Sequence, residues 1–148
     1  MKDLSLHILD IAENAIRAKA KKIRIEVLED EASDRLSVIV QDDGLGMDEQ
    51  TLKKAQDPFF TTKDGKKFGL GLSLLHQATQ EAGGVLKIDS QEAKGTKVVA
   101  KFKLSHPDTK PLGDLLETIA VLVASNPGVH FIYEYRKGDE RVVYNSHD

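Results

Sequence analysis

The sequence predicts a domain of mixed helices and strands, and three observations carry that reading. The chain opens on an amphipathic helical segment. Alternating, β-branched runs then follow in pairs, each pair joined by a short polar turn. Further helical runs separate the pairs. At 148 residues with 40% hydrophobic side chains, the chain fits one compact unit with a real core. Pattern alone gives α+β and does not settle how the layers stack.

The elements follow in order. Leu4, Ile8, Ile11, Ala15 and Ala18 recur at helical spacing, with Asp10, Asn14 and Arg17 forming a polar stripe beside them. Ile23–Glu29 and Leu36–Gln41 alternate as strands, joined through the acidic stretch EDEASDR. The Gly-rich run DDGLGM comes next, and Asp48 reads as the N-cap of a short helix through Ala55. QDPFFTTKDGKKF has no periodicity and reads as a long loop or lid. GLGLSLLHQATQEA reads as a helix starting near Gly69 to Gly71 and stopped by Gly83–Gly84. VLKIDS and TKVVAKFKL form a second hairpin through QEAKG. SHPDTKP, with two prolines, reads as a linker. A further helix has Leu112, Leu115, Leu116, Ile119, Leu122 and Val123 as its apolar face and ends at Asn126–Pro127–Gly128. VHFIYEYR, KGD and ERVVYN make a last hairpin.

Composition removes several functions. The net charge of -3 gives no electrostatic reason to expect nucleic acid or an anionic membrane surface. The chain has no cysteine, which excludes disulfides, thiolate chemistry and a cysteine-based zinc site. The five histidines are scattered, with no His-x3-His pair. Asp3, Asp10 and Glu13 interrupt the first apolar run, so it does not read as a signal peptide, and no apolar stretch is long enough to cross a bilayer. The expected location is the cytoplasm.

No single motif decides the chemistry; order and spacing do. ENAIRA lies on a helix, DDGLGM follows a strand, PFFTTK lies in a loop, FGLGLSLL opens a helix, and GTKVVAKF is a closing strand. In that order the runs resemble the N, G1, F and G2 boxes and the closing Gly-Thr strand of the GHKL, or Bergerat-fold, ATPase superfamily, in its histidine-kinase branch. The resemblance covers about Leu4 to Leu104. It implies an α/β two-layer sandwich, with a mixed, mainly antiparallel sheet, helices on one face and a nucleotide between helices and lid. It divides the chain into an ATP-binding domain at 1–104 and a C-terminal helix and hairpin at 105–148, packed on the same domain or used for a partner.

The resemblance also assigns roles, which elementary chemistry makes intelligible. Asp42 accepts from the exocyclic amine of adenine, together with Thr96. Gly44 and Gly46 let the backbone turn tightly and approach a ligand, and Met47 packs by the base. Asn14 supplies a side-chain oxygen to Mg²⁺, a hard cation that keeps waters and takes phosphate oxygens. Arg17, one turn on, contacts phosphate as a charge-assisted donor. Phe60, Thr62 and Lys63 of the F box and Gly69, Leu70, Gly71 and Leu72 of the G2 box complete the nucleotide site. The free N–H groups of the helix that opens there receive polyphosphate. Asp10 stands where the gyrase and mismatch-repair branch has a Glu acting as general base. An Asp is one methylene shorter, which weakens that role.

Three functions remain from different classes. The first is a Mg-ATP-binding, histidine-kinase-like catalytic domain. Leu4 begins the N box almost at once, leaving no segment for a phosphoaccepting His, so the γ-phosphate is expected to pass to a separate protein partner. The second is an ATPase of gyrase or mismatch-repair type. The third is a nucleotide-switched binding module without turnover. The hairpin rich in Tyr133, Tyr135, Val142, Val143 and Tyr144 is an edge that needs covering, by the chain itself, by a homodimer or by a partner.

Overall fold

The computed structural model describes residues 4–55, 70–106 and 114–147. It contains α1 (Leu4–Arg17), β1 (Lys22–Asp30), β2 (Arg35–Asp42), α2 (Glu49–Ala55), α3 (Leu70–Glu81), β3 (Val85–Gln91), β4 (Gly95–Lys103), α4 (Leu115–Ser125), β5 (His130–Lys137) and β6 (Glu140–Asn145). The six strands form one sheet in the order β3-β4-β2-β1-β5-β6. Every neighbouring pair is antiparallel except β1 and β5, which run parallel with Lys22 opposite His130. The sheet is therefore mixed and mainly antiparallel. Helices α1, α3 and α4 pack on one of its faces, against β2, β3–β4 and β5 respectively.

Alternation decides which face they cover. Ile23, Ile25 and Val27 of β1 are fully buried, and their cross-strand neighbours Val38, Val40, Val98, Ala100, Phe131 and Tyr133 continue the same apolar surface. Leu4, Ile8, Ile11, Ala12 and Ala15 of α1 close over it. Burying side chains of this size stabilises by roughly 1.5–3 kcal/mol each, so the helix layer is held by packing rather than by intrinsic helicity.

The ends of the elements are written locally. Lys19, at φ 63°, turns the chain out of α1, and the Ala20 N–H reaches back to the Ala15 carbonyl. The Asp48 carboxylate accepts the Thr51 N–H at 2.7 Å and starts α2. Gly83, at φ 68°, ends α3 as the glycine pair predicts, with the Gly84 N–H on the Thr79 carbonyl at 2.7 Å. Asp114 caps α4 by accepting from the Glu117 N–H, and the Asn126 side-chain amide donates to the Leu122 carbonyl at its other end.

One expectation needs correction. Leu116 does not belong to the buried face of α4 and is 54% exposed. The face that packs is Leu115, Ile119 and Leu122, and Leu116 lies about 100° round the helix from Leu115. The last hairpin is covered on one strand and open on the other. Its inner strand is in the sheet, with Tyr133 buried and Tyr135 half-buried, while Val142, Val143 and Tyr144 on β6 are exposed. Leu112, most of the SHPDTKP linker and the expected lid lie outside the described residues.

Candidate functional site

The pairing register puts Ile23, Asp42, Thr96 and Ser90 in one cross-strand row at one end of the sheet, with Asp42, Thr96 and Ser90 side by side. Asp42 follows Val38 and Val40 in alternation, so its side chain lies on the helix-covered face. There Asp42 is half-buried, and its Oδ1 accepts the Gly44 N–H at 2.8 Å. Burial pushes its carboxyl above the ordinary carboxylate value, Asp43 pushes the same way, and the backbone N–H groups of Gly44 and Thr96 offset only part of this.

Asp43 has a different task. Its Oδ1 accepts the N–H groups of Lys21 and Lys22 at 2.8 and 3.0 Å and ties the loop to the start of β1. Burial alone would raise its carboxyl, but these donors outweigh it and hold the value below ordinary. Two adjacent carboxylates thus divide into one facing the cleft and one bracing the loop.

The glycines of this loop serve close approach to the chain itself. A Cβ on Gly46, at φ 70°, would sit 1.9 Å from the Gln91 carbonyl oxygen. A Cβ on Gly95, at φ 87°, would sit 2.0 Å from that of Asp42. The loop and the β3–β4 turn are interlocked, and the Ala93 N–H donates to the Leu45 carbonyl at 2.6 Å. Gly44 is likewise pressed against the end of α1, where its Cβ would meet the Ala18 carbonyl at 2.8 Å. Gly44 and Gly46 both permit approach of backbone to backbone.

Ser90 locks the same corner. Its Oγ accepts the Met47 N–H at 2.9 Å, donates to the Gly95 carbonyl at 3.0 Å and lies 2.8 Å from the Thr96 hydroxyl.

Beside this row a cavity of about 50 Å³ opens between α1, α3 and the sheet. Asn14, Asp42, Gly46, Met47, Leu72 and Thr96, six of the residues predicted from sequence, line it together. Ile11, Ala15, Ala18 and Val98 complete its apolar wall. A wider cleft of about 300 Å³ continues outward past Asp42, Ser90 and Thr96 towards Leu52 and Lys94.

The remaining predicted residues divide. Arg17 is not among the described residues lining the cavity or cleft; its guanidinium donates to Asn14 Oδ1 at 2.7 Å and pairs with Glu13 at 3.5 Å. Asp10 is half-buried on α1, one turn before Asn14, and is not among the described residues lining the cavity or cleft. Leu70 and Gly71 stand in the first turn of α3. Phe60, Thr62, Lys63 and Gly69 lie outside the described residues. No group of three or more acidic or histidine side chains fit to hold a metal occurs among the described residues. A cation bound mainly by ligand phosphate and water needs only one or two protein oxygens; Asn14 lines the cavity, and its Oδ1 accepts from Arg17 in this structure.

Sequence reasoning missed Ser90. A signal was present: the turn QEAKG sets the hairpin register and places a serine directly across from Thr96.

These features define a class: an α/β sandwich with a ligand cleft between its helices and one end of its sheet. Residues 2–106 match the family described as histidine kinase-, DNA gyrase B- and HSP90-like ATPases. The chain belongs to that family. It is 34% identical over 105 residues to a putative sensor histidine kinase NtrY-like protein of Rickettsia conorii, covering 71% of this chain and 17% of that one. It is 31% identical over 99 residues to sporulation kinase A of Bacillus subtilis, covering 67% and 16%. The chain thus spans about a sixth of the length of the curated relatives it matches. Its fold is similar to that of the Aquifex aeolicus MutL ATPase domain complexed with ADP, with a TM-score of 0.60 at 16% identity over 91% of this chain and 60% of that one. No helix among the described residues is long and apolar enough to cross a membrane.

Proposed function

We propose that the chain is a Mg-ATP-binding, histidine-kinase-like catalytic domain that passes the γ-phosphate of ATP to a separate protein. The observation that carries this is the convergence of Asp42, Thr96, Met47, Leu72 and Asn14 on one apolar-walled cavity. In this reading Asp42 accepts from the adenine amine, Met47, Leu72 and Val98 sandwich the ring, and Asn14 Oδ1 faces the phosphates. Mg²⁺ held there with Asn14 would neutralise phosphate charge, which is most of what phosphoryl transfer asks of a protein. Arg17 then exchanges its hold on Asn14 for a phosphate oxygen.

The reading places the acceptor outside the described residues. Among the described residues none lines the cavity or its cleft. His7 is packed in the core and His76 lies on α3 beside Gln80. The hydrolase reading is weakened by the position of Asp10 outside the cavity wall.

The test incubates purified chain with Mg²⁺ and γ-labelled ATP and follows released phosphate and protein-bound label. The expected result is ATP binding with neither rapid phosphate release nor stable label on the chain. Steady phosphate release that disappears in Asp10→Asn would overturn the transfer reading in favour of an ATPase. Stable label on the chain would overturn the separate acceptor.

A further inference from the structure

We infer that Ser90 is a positioning residue that fixes the hydrogen-bond polarity of Thr96, and so makes the cleft select a 6-amino purine over a 6-oxo purine. The inference rests on the reading of the cleft as a purine-nucleotide site and adds to it the determinant of base choice.

The argument is an inventory of protons. A serine hydroxyl has one proton to give and two lone pairs to receive with. The Ser90 proton goes to the Gly95 carbonyl, which can only accept, at 3.0 Å. One lone pair receives the Met47 N–H at 2.9 Å. The remaining contact is with Thr96 Oγ1 at 2.8 Å, and only the Thr96 hydroxyl has a proton left to make it. Thr96 therefore donates to Ser90 and turns only lone pairs to the cavity.

Asp42 stands next to Thr96 in the same row, and its ionised carboxylate is also acceptor-only. Both groups line the same cavity. The pair offers acceptors and no donor at the point where the 6-position of a purine would sit. An exocyclic amine brings two N–H donors and is satisfied. A 6-carbonyl brings lone pairs against lone pairs. A site built to hydrogen-bond one group rejects the analogue that lacks it because its own polar atoms are left unpaired.

Without Ser90 the Thr96 hydroxyl rotates freely and can donate into the cavity. The Met47 N–H loses its acceptor at the same time, so nucleotide affinity alone does not isolate the effect. The ratio of affinities for two bases does.

The experiment measures binding of ATP and ITP, which differ at the 6-position and in the N1 proton that goes with it, by calorimetry with Mg²⁺ for the native chain, Ser90→Ala and Ser90→Thr. The native chain should prefer ATP. Ser90→Ala should lower that preference about tenfold, the scale of one unsatisfied hydrogen-bonding group. Ser90→Thr, which keeps the hydroxyl, should restore it. A native preference for ATP that survives unchanged in Ser90→Ala overturns the Ser90 inference alone. A native chain that binds neither nucleotide overturns both the inference and the purine-site reading. Loss of the preference in Ser90→Thr as well as Ser90→Ala would assign the effect to packing and overturn the polarity argument.

Discussion

The two halves of the sheet handle charge in opposite ways. At the site end, Asp42 is half-buried among Gly44, Thr96 and an apolar wall, and burial holds its carboxyl above the ordinary range. Towards the β5–β6 edge, on the uncovered face, Glu134 has Arg24, Arg136 and Arg141 around it, all three at least 40% exposed. At the turn end, Asp34 takes the N–H and hydroxyl of Ser105, which hold its carboxyl below ordinary. Charge at the turn is matched and solvated, and the buried Glu134 on the open face is matched by three exposed guanidinium groups; charge at the cleft is kept under-satisfied. A carboxylate with accepting capacity to spare is unfavourable for folding and useful for binding.

The largest effect should come from breaking the backbone interlock beneath the cleft. Gly46→Ala places a Cβ at 1.9 Å from the Gln91 carbonyl oxygen at a positive φ. Left-handed strain and overpacking together should cost roughly 2–5 kcal/mol, read as a drop in the urea midpoint.

Asp42→Asn separates binding from stability. Nucleotide affinity should fall at least about tenfold, while neutral-pH stability should stay or rise. The sign follows from linkage. The folded-state pKa of Asp42 is raised, so its contribution is full below the ordinary value near 3.8 and is lost as pH rises through the folded value. Asp34 has the opposite sign: its contribution is present above the ordinary value and is lost as pH falls through its lowered folded value. Urea unfolding across pH should show the upper loss abolished in Asp42→Asn and kept in Asp34→Asn. If Asp42→Asn is destabilised at neutral pH, the comparison drawn above fails.

Asn14→Ala should leave metal-free nucleotide binding nearly intact and remove the gain on adding Mg²⁺, as calorimetry with and without EDTA would show. The smallest effect belongs to the open face. Arg141→Ala removes a 61% exposed partner of Glu134 and should change stability by about 1 kcal/mol or less. A larger change would mean that this network is not screened as exposed pairs are.

Much of this was legible in the sequence for definite reasons. Alternation fixes which side of β1, β2 and β4 is buried, because side chains on a strand point to opposite faces in turn. Asp48 and Gly83 announce helix ends because their local chemistry allows little else. Asn14, Asp42, Met47, Leu72 and Thr96 were singled out through the order of motifs, and they line one cavity. Ser90 escaped because its importance lies in register, a property of two strands rather than of one segment. The parallel placement of β5 beside β1 escaped for the same reason: nothing local in HFIYEYR names a partner so far back in the chain. Leu116 was misassigned because α4 is apolar on more of its circumference than it buries.

That parallel ladder also has a consequence in time. Lys22 and His130 are more than a hundred residues apart, yet they are direct neighbours in the sheet. A ribosome adding about 5–20 residues per second needs roughly 5–20 s to bridge that interval. For that period the β1 edge of the hairpin of β1 and β2 stays open, carrying the backbone of residues destined for the middle of the core. Nascent chains are then most prone to wrong pairing, and synthesis that stalls between β4 and β5 should yield aggregates rather than a smaller folded domain.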